Sequence, residues 1–90
     1  MDVRWDPAKA RENRRKHGIR FSEAEAVLYD PRALTIEDPD VTGEARYISI
    51  GHDSRSRIVV AVYTYRDEHV RLISARRATR QERTAYEKGI

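Results

Sequence analysis

The chain contains no cysteine, so disulfide staples, thiolate zinc sites and thiol catalysis are excluded. Its longest apolar run, Ile58 to Tyr63, is far short of the roughly 20 residues a membrane-spanning helix needs. The start, Met1-Asp2-Val3-Arg4-Trp5, lacks a basic region followed by an apolar stretch, so no secretory signal is expected and the protein reads as cytoplasmic. There is no Gly-rich phosphate loop, no H-E-x-x-H and no G-x-S-x-G turn. His17, His52 and His69 share no metal-ligand spacing, so neither a metal nor another cofactor is expected. Lysine is scarce as well, with 3 against 15 arginines.

That last imbalance turns the argument towards what is present. Arginine offers five donors in a planar fork and suits an oxyanion better than lysine does, which points to a nucleic-acid partner. Residues 9 to 20 hold Lys9, Arg11, Arg14, Arg15, Lys16 and Arg20 against Glu12 alone. The middle is acidic, with Asp30, Glu37, Asp38, Asp40 and Glu44 against Arg32, and the tail is basic again. A polyanion fits two of these three parts, although a solvated helix face would also carry such charge.

The 90 residues predict a single domain, 1–90, with a small core. Val3-Arg4-Trp5 suits a short strand. Asp6-Pro7 starts a helix that ends near His17, before Gly18. Ser22 and Glu25 form a capping box for a second helix to Tyr29, with Phe21 as the staple, and Asp30-Pro31 ends it. Four strands follow over 33–36, 46–51, 58–65 and 70–75, and Thr79 with Glu82 caps a last helix from Arg80 to Lys88. The fold class is α+β: an antiparallel four-stranded sheet, with or without the N-terminal strand, two helices before it and one after. The order is β-α-α-β-β-β-β-α.

Arginines stand where the last two strands end: Arg66 after the first, Arg76 and Arg77 after the second. With no metal motif, such residues suit RNA cleavage in which the 2′-hydroxyl is the nucleophile and the protein stabilises the phosphorane and moves protons. Arg66 and Arg76 fit the charge-stabilising role, while His17, Lys9 and Tyr86 fit proton transfer or positioning. Each has a plainer reading. Arg76 can pair with Glu82 or Glu87, and His17 can serve as a hydrogen-bonded helix end. If Asp67-Glu68 makes a two-residue hairpin, strict alternation sends Arg66 and Arg76 to opposite faces, and a bulge would reunite them.

Trp5-Asp6-Pro7-Ala8-Lys9, Asn13, Lys16-His17-Gly18, Asp30-Pro31, Arg46-Tyr47, Tyr63-Thr64-Tyr65-Arg66, Ile73-Ser74-Ala75-Arg76 and Glu82-Arg83 with Tyr86 resemble the BrnT family of toxins from type II toxin–antitoxin modules. The resemblance implies a fold similar to RelE-type ribonucleases and RNA cleavage that stops translation, on or off the ribosome. It also implies neutralisation by a BrnA-type antitoxin and operator DNA contacted only through that antitoxin, with a dimer or a larger antitoxin-linked assembly as the alternatives for the complex. The matching positions for catalysis are Lys9, His17, Arg66 and Arg76; substrate binding is expected of Arg66, Arg76 and Tyr86, and of the strand-end Arg77 beside them. The alternative is a non-catalytic module that binds nucleic acid or antitoxin through the same basic surface.

Overall fold

Asp6 and Pro7 start the first helix as their chemistry dictates. In the computed structural model, which describes residues 1–89, the Asp6 carboxylate accepts the Ala8 amide at 2.8 Å. Pro7 opens α1 (Pro7–His17), since its missing N–H costs nothing there. Gly18 closes the helix at φ 70°, and its amide donates to the Arg14 carbonyl. A two-residue strand, β1 (Val3–Arg4), precedes α1. The expected domain ran to Ile90, which lies outside the described residues.

The second helix differs from the expectation. It starts earlier as a single turn, α2 (Phe21–Ala24), with the Glu23 carboxylate accepting the Arg20 amide at 3.3 Å. It then tightens into a 3₁₀ helix, Glu25–Tyr29. Packing accounts for the change. Phe21, Ala24 and Val27 recur every third residue and are all fully or almost fully buried. A turn of three residues keeps that spacing on one line. Phe21 is therefore inside the helix and in the core, where the sequence suggested a staple ahead of it.

Strands β2 (Leu34–Glu37), β3 (Tyr47–His52), β4 (Ile58–Arg66) and β5 (His69–Arg77) follow, and α3 (Arg80–Lys88) ends the order. They form one sheet in the order β1-β5-β4-β3-β2. Strands β2 to β5 pair antiparallel, but β1 runs parallel to β5. The sheet is thus five-stranded and mixed instead of four-stranded and antiparallel, and the element order gains a 3₁₀ helix before β2. The reason is connectivity: β1 reaches β5 through the rest of the domain and not through a hairpin, so a parallel pairing is open to it.

Only Val3 and Arg4 pair with β5, opposite Val70 and Arg71. Beyond them α1 takes over the edge. Asn13 Nδ2 donates to the Ala75 carbonyl at 2.8 Å, and its Oδ1 accepts the Ala75 amide at 3.0 Å. Nδ2 also donates to the Ile19 carbonyl at 3.0 Å. One side-chain amide thus continues the ladder where the strand stops, and its buried polar atoms are satisfied.

One face of β4 and β5 carries Val59, Ala61, Tyr63, Val70, Leu72 and Ala75, packed against Ile19, Phe21, Ala24 and Val27. Burial of each large side chain there contributes about 1.5–3 kcal/mol before entropy is counted. The last helix meets the sheet at its far end, through bonds from Glu82 and Tyr86 described below. No described helix is long and apolar enough to cross a membrane.

Candidate functional site

The β4–β5 hairpin turns on Asp67-Glu68, with Asp67 at φ 50° and Arg66 opposite His69. Strict alternation from there would separate Arg66 from Arg76. The register shifts instead between Val62 and Tyr63: Tyr63 faces Leu72, Val62 faces Ser74, and Ile73 is the extra residue. This bulge resets the alternation. Arg66, Arg71, Ser74 and Arg76 therefore lie on one face, opposite the core.

A hollow of about 160 Å³ opens on that face, lined by Lys9, Glu44, Arg46, Thr64, Arg66, Arg71 and Ile73 among others. A neighbouring hollow of about 190 Å³ includes Lys9, Lys16, His17, Ile73 and Ser74. Lys9 and Ile73 line both, so the two are parts of one furrow running from the hairpin end of the sheet to the end of α1. Bulge and helix cooperate here: Asn13 pins α1 to β5, and that contact carries Lys9 and His17 to the furrow.

The charge in the furrow is unbalanced. Four cations (Lys9, Arg46, Arg66, Arg71) surround one carboxylate at its hairpin end. Glu44 Oε1 accepts from Arg66 Nε at 3.0 Å and lies 2.9 Å from the Thr64 hydroxyl. Those two bonds hold the Glu44 carboxyl below the ordinary range, so it is ionised at neutral pH. Both members of the Arg66–Glu44 pair are about half exposed. Among the described residues Lys9, Arg46 and Arg71 make no ion pair. Such a trough can hold an oxyanion, and the ionised carboxylate beside it can take a proton.

Arg76 stands on the same face but past Ser74, and it is occupied. Its two terminal nitrogens donate to the two Glu82 oxygens at 2.8 and 2.9 Å. Glu82 also accepts the Thr79 amide in the capping box of α3. The Arg76 guanidinium, opposed by burial and helped by Thr79, holds the Glu82 carboxyl down at about 2. Arg77 is exposed, and the register turns it to the face opposite Arg76.

Tyr86, expected to touch substrate, is turned inward and 7% exposed. Its hydroxyl donates to Asp30 Oδ2 at 2.5 Å and lies 2.9 Å from His52 Nδ1, which donates to it. Burial and the Asp30 carboxylate push the phenol up to about 12. Burial also raises the Asp30 carboxyl, but the Tyr86 hydroxyl and the amides of His52 and Arg32 outweigh it and hold Asp30 below its ordinary value. Gly51 makes room for this carboxylate: a Cβ there would sit 2.9 Å from Asp30 Oδ2. Tyr86 therefore ties α3 to the sheet and is not open to a ligand.

Sequence reasoning placed no role on Glu44, Arg46, Thr64 or Arg71. Alternation along β4 pairs Thr64 with Arg66, and hairpin register sets Arg71 opposite Thr64, so those two were within reach of the pattern. Glu44 sits in the turn-rich segment before β3, where no periodicity fixes a side chain.

A family model described as "Ribonuclease toxin, BrnT, of type II toxin-antitoxin system" matches residues 5–82. Among solved structures the chain is similar to the Brucella abortus ribonuclease toxin BrnT, with 26% sequence identity and a TM-score of 0.67. The match covers 89% of this chain and 99% of that one. No curated protein sequence matches. The matched span includes the whole furrow from Lys9 to Ser74 and leaves out Tyr86.

Proposed function

Because the chain belongs to the BrnT family of type II ribonuclease toxins, we propose that its furrow cleaves RNA without a metal ion. The observation that carries this reading is the cluster of Lys9, Arg46, Arg66 and Arg71 around a single carboxylate, on the face opposite the core.

The phosphate lies against Lys9, Arg66 and Arg71. Glu44 takes the proton of the 2′-hydroxyl, and the 2′-oxygen attacks phosphorus. The bond to the 5′-oxygen breaks, and that oxygen takes a proton from Lys9, which lines both hollows, while His17, about 12 Å further along α1, faces the neighbouring stretch of RNA. The products are a 2′,3′-cyclic phosphate and a free 5′-hydroxyl. Lys9 and Arg66 stabilise the extra negative charge of the phosphorane, a contribution of about 10²–10³ in rate per donor. Substrate also sharpens the base: a phosphate that draws on Arg66 takes away the partner that lowers Glu44, so Glu44 becomes a stronger base. Arg76, half exposed beside Glu82, meets a flanking phosphate along the strand.

The protein acts in the cytoplasm, where cutting RNA stops translation. A BrnA-type antitoxin neutralises it and supplies the contact to operator DNA. The test is cleavage of a labelled RNA by purified protein in EDTA, with Arg66→Ala in parallel. Expected is cleavage by the wild type, cyclic-phosphate ends, and at least about 100-fold less product from Arg66→Ala. Failure of the wild type both in this assay and in a translation extract would overturn the catalytic reading in favour of the binding module.

A further inference from the structure

The furrow uses one flank of α1, through Lys9, Lys16 and His17. Arg11 and Arg14 lie roughly 140–160° around the same helix from Lys9 and Lys16, on its other flank. There a hollow of about 170 Å³ opens between α1 and α2, walled by Trp5, Ala10 and Phe21 and rimmed by Arg11, Arg14 and Arg20. Trp5 stands edge-on to Phe21 with ring centroids 6.1 Å apart, so the apolar wall is rigid. All three arginines are exposed, and among the described residues none makes an ion pair. Their neighbours do: Arg15 and Lys16 on the same helix share Glu12. Unneutralised charge is thus gathered around an apolar seat.

The seat is too small for a cofactor or drug-sized ligand, which needs about 300 Å³ or more. It is the right size for one apolar side chain. Aromatic walls with arginines at the rim are the residue types that anchor protein interfaces. Three free guanidiniums select an acidic partner. RNA is less well served, because the phosphate track lies on the opposite flank of α1 and the indole is already packed into the core cluster.

We propose that this hollow is a docking site for the antitoxin, through an acidic segment that seats one apolar side chain in the hollow, against the wall of Trp5, Ala10 and Phe21, and sets carboxylates against Arg11, Arg14 and Arg20. The proposal rests on the reading of the chain as a type II toxin. It makes grip and inhibition separable, since a partner held here need not fill the furrow to be bound.

The experiment measures the affinity of the antitoxin encoded beside this chain for wild type, Arg11→Glu/Arg14→Glu and Arg66→Ala, with RNA cleavage and melting temperature in parallel. A neutral pair, Arg11→Gln/Arg14→Gln, serves if charge reversal disturbs folding. Expected is about 100-fold weaker antitoxin binding for the hollow variants, with a shallower salt dependence. Their RNA cleavage stays near the wild-type rate. Unchanged antitoxin affinity in folded hollow variants overturns the proposal, and loss of RNA cleavage with affinity retained reassigns the hollow to RNA. A wild type that binds no antitoxin overturns the partner reading and the proposal with it.

Discussion

Arg66 and Arg76 stand near opposite ends of one sheet face, and each meets a glutamate. The two pairs are built differently. Glu44 reaches Arg66 through one bond, from an irregular segment, with both side chains about half exposed. Glu82 meets Arg76 through two parallel bonds from a capped helix turn, and it is three-quarters buried. A single exposed contact is readily exchanged for a phosphate, whereas a bidentate pair that also caps a helix is part of the framework. Arginine content alone does not locate a site. How firmly each arginine is already held does.

The comparison breaks most visibly at Arg66. Arg66→Ala is expected to lower RNA cleavage about 100-fold or more while the melting temperature stays in place. Should Arg76→Ala cost as much activity without any change in melting, the distinction between the two ends would fall. Next in size is Glu82→Ala, which removes half of a capping box and leaves Arg76 without its partner. It should lower stability by about 1–2 kcal/mol in urea unfolding. Acid titration sharpens the point. The folded-state value near 2 lies below the ordinary 4.5, so the stability Glu82 contributes is full above pH 4.5. It is lost as pH falls towards 2, and Glu82→Gln should flatten that part of the curve.

Smaller again is Tyr86→Phe, expected to cost about 1 kcal/mol by leaving Asp30 with one bond fewer. Its phenol is raised to about 12 from 10.0, so its contribution is complete below pH 10 and disappears as pH climbs through 12. The substitution should remove that alkaline slope. The smallest stability effect belongs to Glu44→Gln: melting should not move, although cleavage should drop steeply if Glu44 is the base. Cleavage that rises instead would make Glu44 a plug on the arginines and not a participant.

Much of this framework could be read from residues. Asp6-Pro7 and Gly18 bound α1, Thr79 with Glu82 opened α3, and the hairpin at Asp67-Glu68 lay where turn chemistry put it. Those signals are local, carried by residues a few positions apart. The parallel pairing of β1 was hidden because it joins Val3 to Val70, and no local pattern encodes such a contact. The 3₁₀ winding of Glu25–Tyr29 was hidden because tertiary packing of Val27 overrode the capping signal. In the candidate site, Lys9, His17 and Arg66 had been nominated by type and position, and all three line the furrow. The bulge at Ile73 was an open alternative, and only the ladder resolved it. Tyr86 misled because an aromatic near a chain end looks the same in sequence whether it points in or out.

Asn13 donates to and accepts from Ala75, a residue 62 positions later. The contact has a consequence for the order of events at birth. A chain made from its N-terminus presents Lys9 and His17 first and Arg66 and Arg71 last, and α1 has no edge to dock on until β5 exists. The furrow therefore stays unassembled through most of synthesis, and long-range closure of this kind is slow compared with local helix formation. Whatever chemistry the furrow performs is withheld until the final strand has emerged and met α1.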